Sequence, residues 1–389
     1  MIIGLMGCLI NNENMGCVAL TFSLINMLEK ISEEKEEQFT YYIFEVDPDE
    51  ICRKNAVEKL GLRENQIKCF DVRPLFRFRR FAHHILRGMF SIRALSQCDY
   101  VIDLTAGDSF TDIYGQYTFD SETNVKLLVK KMRKSLILGP QTYGPFSNKR
   151  NIKKAKKAIE SADLVIARDQ KSADGIEEFS SKNIYVTTDL AFKLPWNVEK
   201  SINSNKVKVG INISGLLLNN KTESTALLVE RKTDYDTYIC RVIDWLLDEK
   251  CYDIYVIPHV GKDGEDYIKK IYGERIHYFK EFKDPISAKT VISQMDIFIG
   301  ARMHATVAAF SSGVATIPTA YSRKFAGLYS NLGYPYTIDL VADTTESNVG
   351  RTIQYICDYK DLKKAVQKCM DKVEIFSTAT YSLLLKNLK

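Results

Sequence analysis

Basic side chains stand where several apolar runs end. Arg168 closes "DLVIARD", Arg302 and His304 follow "DIFIGA", and Arg323 and Lys324 follow "VATIPTAY". Short apolar, β-branched runs bounded by polar residues read as buried strands, and in open α/β sheets ligands bind beyond the carboxyl ends of strands. Cations at such ends suit an anion, because charge-assisted hydrogen bonds to phosphate or carboxylate are the strong ones. If Arg168, His304 and Lys324 face one crevice, they suggest a substrate with two anionic groups. Plainer readings compete: an Arg168–Asp169 surface pair, Asp169 as a helix cap, and His304 as a capping or packing residue. Arg302 and His304 share a face if the chain there is extended and diverge if a helix has begun. The small residues around them (Gly300, Ala301, Ala305, Ala308 and Ala309) would let a ligand or another backbone approach closely.

Two loops in the first half offer different chemistry. "DLTAGDSFTDIYG" carries Asp108, Asp112 and Tyr114, and "NNENMGCVAL" carries Asn14 and opens a helix. Such side chains suit the hydroxyls of a sugar, although the same residue types make turns and caps. Neither loop is a G-x-G-x-x-G or Walker sequence, so a nucleotide cofactor has little support. The nine cysteines form no CxxC pair and no Cys/His cluster of ligand spacing, which argues against a zinc site or a disulfide framework and fits a reducing cytoplasm.

The elements that must position these residues alternate from end to end, strand then helix, which predicts parallel sheets covered by helices. Strands are expected at 1–7, 40–46, 66–72, 99–105, 135–141, 163–169 and 183–189, then at 206–214, 252–260, 276–282, 296–301, 314–321 and 336–340. Helices are expected at 17–31, 121–134, 149–161 and 170–179. Periodicity lapses in "PWNVEKSINSN", where a linker is expected. The reading is α/β, two Rossmann-like open-sheet domains in a GT-B-like arrangement with a cleft between them. Residues 1–195 form the first domain, joined by C-terminal helices 346–389, and residues 206–345 form the second.

At 389 residues the chain can bury two cores, and a net charge of +5 makes no case for a nucleic-acid partner. The start lacks a basic leader, and no run approaches the roughly 18 apolar residues of a membrane span, so a protein neither exported nor membrane-spanning is expected. The stretch 73–95, "RPLFRFRRFAHHILRGMFSIRAL", is basic and amphipathic if helical. It suits an anionic membrane surface or a lipid-linked substrate, or it is a surface helix with solvated arginines.

Taken in order, these residues resemble the polysaccharide pyruvyl transferases. The resemblance runs through Asn14 and Gly16, Asp112-x-Tyr114-Gly115, "GPQTYGPF", "ARDQKS", "DLAF", "GINIS", "GARMHA" and "AYSRKF". It implies a GT-B-like enzyme that transfers the enolpyruvyl unit of phosphoenolpyruvate to a sugar as a pyruvate ketal. It also implies donor binding by Arg168, Arg302, His304 and Lys324, of which Arg168, His304 and Lys324 are catalytic. Acceptor contacts then fall to Asn14, Asp108, Asp112 and Tyr114, with no cofactor and no metal. The acceptor is a saccharide of a cell-surface polysaccharide or its lipid-linked precursor, met in the cytoplasm at the inner face of the membrane. The alternative is a GT-B glycosyltransferase using a nucleotide sugar. The chain departs from the family twice: Cys17 stands where Asp is usual, and "LTAGDSF" where a Gly-Gly-Gly turn is usual.

Overall fold

A computed structural model describes residues 1–76, 83–198, 201–218, 231–261 and 264–389. Every strand expected from the sequence forms. In the first sheet they are β1 (Ile2–Met6), β2 (Thr40–Glu45), β3 (Ile67–Asp71), β4 (Tyr100–Asp103), β5 (Ser135–Gln141), β6 (Leu164–Ala167) and β7 (Tyr185–Val186), ordered β3-β2-β1-β4-β5-β6-β7. The second sheet holds β8 (Val207–Asn212), β9 (Tyr252–Val256), β10 (His277–Tyr278), β11 (Ile297–Gly300), β12 (Ala315–Ala320) and β13 (Ile338–Asp339), ordered β10-β9-β8-β11-β12-β13. All neighbouring pairs are parallel.

Burial on both faces explains the unbroken apolar runs. In β11, Ile297 and Ile299 join the core formed with the helix Tyr235–Asp248, through Tyr238, Ile239 and Val242. Phe298 points to the other face, against Ala305, Ala308 and Ala309 of the helix Met303–Ser311. In the first sheet, the helix Met15–Glu34 buries Leu20, Phe22, Leu24, Ile25, Leu28 and Ile31. That helix is long and apolar enough to cross a membrane, contrary to the expectation from the sequence, but most of its apolar window is buried and it serves as a core helix.

The chain divides into two compact units, Met1–Asn12 with Cys17–Leu190 and Ile375–Lys389, and Glu13–Gly16 with Ala191–Glu374. The boundary differs from the expected one in three places. Residues 191–195 belong to the second unit, where Lys289 Nζ donates to the Leu194 carbonyl at 2.7 Å. Of the expected C-terminal return at 346–389, only Ile375–Lys389 joins the first unit; Thr345–Cys357 packs on the helix Tyr235–Asp248, where Tyr238 and Thr352 share a buried 2.8 Å hydrogen bond. Glu13–Gly16 leaves the first unit for the second.

Strand order reverses between β1 and β4 in one sheet and between β8 and β11 in the other. The chain leaving those strands lies at the switch points where open α/β sheets hold ligands. Both candidate sites lie there.

Candidate active site

In the second unit, Asn212 ends β8 and ties three strand ends together. Its Nδ2 donates to the Ile257 carbonyl at 3.0 Å, and its Oδ1 accepts from the Arg302 N–H at 3.0 Å. Arg302 is extended (φ −99°, ψ 122°) and is the N-cap of the helix Met303–Ser311. Arg302 and His304 therefore straddle a helix start rather than sharing a strand face. The small residues serve packing: Ala305 and Ala309 are fully buried in the core, and a β-carbon on Gly300 would lie 2.5 Å from the Thr306 methyl.

The residue that does approach His304 comes from far away in sequence. Asn14 bridges Val260, and the Met15 N–H donates to the His259 carbonyl at 3.2 Å, so Glu13–Gly16 forms a short strap on this unit. Asn14 Oδ1 accepts from the Gly16 N–H at 3.0 Å, a local turn that brings Gly16 onto the imidazole of His304. A β-carbon on Gly16 would overlap that ring. Asn14, expected with the acceptor residues of the first domain, instead belongs to the unit that holds Arg302 and His304.

His259 is a site residue that no sequence motif marks. The run "YDIYVIPHV" is apolar enough to suggest one strand, but β9 ends at Val256, and Pro258, which has no N–H for a ladder, is the signal that the strand stops before the histidine. His259 is 4% exposed. Burial first, and then the charges of His304 and Arg302, hold its pKa down to about 3, so it is a neutral imidazole at neutral pH.

Helix starts differ across the molecule. Asp49, Asn148, Asp169, Asp234, Asp284 and Thr344 each accept a capping hydrogen bond in the first turn of their helices. The helices opened by Arg302 and by Ser322 have no side-chain cap, nor do those opened by Gly115 and Gly264. Ser322 Oγ is buried with no hydrogen-bond partner among the described residues. Uncapped N–H groups and the positive end of the helix dipole both favour an anion. Lys324 is the second residue of the helix Arg323–Leu332, and its side chain lies outside the described residues.

In the first unit, Arg168 is 4% exposed and does not pair with Asp169. Its Nη1 meets Oδ2 of fully buried Asp189 at 2.8 Å, and its Nε donates to Thr142 Oγ1 at 2.8 Å. Asp169 caps its helix instead, Oδ1 accepting from the Ser172 N–H at 2.8 Å. The Asp189 carboxylate compensates the guanidinium charge, so the charge Arg168 offers a ligand is smaller than its residue type suggests.

Arg168 sits against the turn after β4. A β-carbon on Gly107 would lie 3.2 Å from Arg168 Nη1. Thr105, Ala106 and Gly107 have φ of 43°, 49° and 88°, three consecutive left-handed residues. Only glycine takes that conformation without strain, which suits the Gly-Gly-Gly turn that the resemblance leads one to expect in this loop. The chain holds its Thr and Ala there with a buried polar clamp. Thr105 Oγ1 donates to Asp103 Oδ1, and Lys126 Nζ reaches Asp103 Oδ2 at 3.0 Å and Thr105 Oγ1 at 2.8 Å, above the Phe110 ring at 4.5 Å. Beyond the turn, Tyr114 donates to Asp108 Oδ2 at 3.1 Å. Asp112 braces the loop: its Oδ2 accepts from Ser147 N–H at 2.7 Å, Ser147 Oγ at 2.8 Å and Asn151 Nδ2 at 2.7 Å. Among the described residues no three His, Cys, Asp or Glu side chains converge as metal ligands.

Of the basic stretch 73–95, Arg73 is tied to Asp71 and Asp47 at 2.7 and 2.5 Å, while Arg77, Arg79 and Arg80 lie outside the described residues. Met89 and Phe90 are exposed.

The chain matches the family model described as Polysaccharide pyruvyl transferase over residues 14–323. It belongs to that family. No curated protein matches it. Solved structures similar to this pyruvyl transferase family member include the UDP-GlcNAc 2-epimerase of Neisseria meningitidis bound to UDP-GlcNAc, at TM-score 0.61 and 10% identity over 99% of this chain and 100% of that one. The Anabaena protein HepE in complex with UDP and glucose aligns at TM-score 0.55 and 13% identity over 100% and 98%. The spinosyn rhamnosyltransferase SpnG, complexed with thymidine diphosphate, aligns at 0.52 and 10% over 100% and 99%. At these identities the likeness is one of fold, and the chain has the two parallel-sheet domains of GT-B-like proteins.

Proposed function

We propose that the chain transfers the enolpyruvyl unit of phosphoenolpyruvate to two hydroxyls of a sugar, in a polysaccharide or its lipid-linked precursor, giving a pyruvate ketal and inorganic phosphate. The family supports pyruvylation of a saccharide. The observation that carries the donor is the switch point of the second sheet, where Arg302, His304 and the uncapped helix start gather beside β8 and β11. Phosphoenolpyruvate has a carboxylate and a phosphate, which cations and helix N–H groups hold without a metal.

In the reaction the donor's CH₂ carbon takes a proton, and the adjacent carbon becomes oxocarbenium-like. One sugar hydroxyl adds there and loses its proton; phosphate leaves with the C–O bond electrons; the second hydroxyl closes the ketal and loses its own proton. One of the two released protons replaces the one delivered to carbon, and the other goes to phosphate. His304, beside Arg302 at the helix start, is the group suited to deliver the proton or hold the departing phosphate. Lys324 is the remaining donor contact of this unit; in the first unit Arg168 is suited to an anion, and Asp108, oriented by Tyr114, to an acceptor hydroxyl. The basic stretch 73–95, with exposed Met89 and Phe90, fits a cytoplasmic enzyme that touches an anionic membrane while working on a lipid-linked acceptor.

The test mixes enzyme, phosphoenolpyruvate and a panel of β-linked galactose, mannose and glucosamine acceptors, and reads phosphate release and ketal mass. Acceptor-dependent phosphate release supports the reading. Ligand-bound relatives of the same fold carry nucleotides. Thermal stabilisation by a UDP- or GDP-sugar, with none from phosphoenolpyruvate and no turnover, would replace it with nucleotide-sugar chemistry.

A further inference from the structure

We infer that His259 is a further ligand of the donor anion, contacting it through Nδ1 as a neutral hydrogen-bond donor. The inference rests on the pyruvyl-transfer reading only in naming phosphoenolpyruvate as the anion. His259 leaves the end of β9 at the same switch point as Arg302 and His304, and its backbone carbonyl anchors the strap whose Gly16 packs on His304. Its Nδ1 is buried and has no hydrogen-bond partner among the described residues. A buried polar atom left unsatisfied is costly, and native structures keep few of them, so an orphan beside an arginine, a histidine and an uncapped helix start points to a group that arrives from outside. Burial first, and then the neighbouring His304 and Arg302, keep the ring from taking a second proton, so it meets the anion as a neutral imidazole. A neutral donor adds a directed hydrogen bond without adding repulsion to Arg302 and His304. With Nδ1 protonated, Nε2 is the ring's acceptor.

Asparagine and glutamine variants separate the atom from the side chain. The amide of Asn reaches about where Nδ1 lies, and that of Gln about where Nε2 lies. Calorimetric titrations of wild type, His259→Asn, His259→Gln and His259→Ala use phosphoenolpyruvate, inorganic phosphate and UDP, with thermal unfolding to confirm that each variant folds. His259→Ala and His259→Gln are expected to bind the anion about 10- to 100-fold more weakly, and His259→Asn to keep most of the affinity. If wild type binds UDP but not phosphoenolpyruvate, the pyruvyl-transfer reading falls; the assignment of His259 then stands or falls on whether UDP shows the same ordering of variants. Wild-type anion affinity in a folded His259→Ala, equal loss in all three variants, or no anion binding by wild type overturns the assignment.

Discussion

Ala106→Gly is expected to stabilise a protein that already tolerates alanine at that position. Ala106 lies at φ 49° and ψ 22°, in the left-handed region, where an L-residue carries roughly 1–2 kcal/mol of strain. Glycine removes that strain but widens the unfolded ensemble, which takes back roughly 0.5–1 kcal/mol. The difference leaves about 0.5–1 kcal/mol of added stability, on the order of 1–3 °C in melting temperature for a unit of this size. Urea unfolding of the full chain, followed by a probe in the first unit, gives the free energy and, through its slope, shows whether the unfolded state also changed. The neighbouring glycines set the opposite sign. At Gly107 (φ 88°) a β-carbon would lie 2.6 Å from Leu20 Cδ1, and at Gly7 (φ 57°) it would collide with the Thr105 backbone. A side chain can yield and a backbone cannot, so Gly7→Ala should be more damaging than Gly107→Ala. A loss of 1 kcal/mol or more in Ala106→Gly, or a Gly7→Ala protein as stable as wild type, would refute the account of the turn.

Gly16→Ala should displace the His304 ring and reduce turnover by at least tenfold, with thermal unfolding confirming that the variant folds; wild-type turnover would show that the contact does not position His304. Lys289 is fully buried, with Nζ 4.1 Å from the centre of the Trp196 ring, and burial, then the charge of Lys193, lowers its pKa to about 7. Between pH 7 and the ordinary lysine value the unfolded chain binds more protons than the folded one, so this group makes stability rise with pH over that window, by at most about 1.4 kcal/mol per pH unit, and adds no slope well below pH 7. Lys289→Met should flatten that rise in urea unfolding between pH 7 and 9, and an unchanged slope would count against a neutral lysine. Activity is expected to survive EDTA, and restoration by Mg²⁺ or Mn²⁺ after its loss would contradict donor binding by cations alone. Met89→Ser with Phe90→Ser should weaken cosedimentation with anionic vesicles without altering phosphoenolpyruvate affinity, and equal vesicle binding would return that helix to a structural role.

The sequence by itself determined the elements. Strands buried on both faces need unbroken apolar runs, and those runs are local, so all thirteen were legible along with the helix Lys149–Ser161 at its full length. The motifs around Arg302 and His304 were legible for the same reason, since they follow a strand whose end is marked by Gly300. What the tertiary structure decided were the partners. Asp189, not the adjacent Asp169, balances Arg168, because the two leave neighbouring strand ends although they are far apart in sequence. Asn14 and Gly16 belong with His304 because a backbone bridge to Val260 carries them there, and no local pattern encodes a bridge. His259 is not legible in the sequence because its significance comes from a buried Nδ1 with no partner among the described residues, a property of the packed core and not of the run "IPHV". The left-handed turn at 105–107 likewise could not be read from Thr and Ala, which ordinarily avoid positive φ. They are held there by Asp103 and Lys126, a buried pair that only folding brings together.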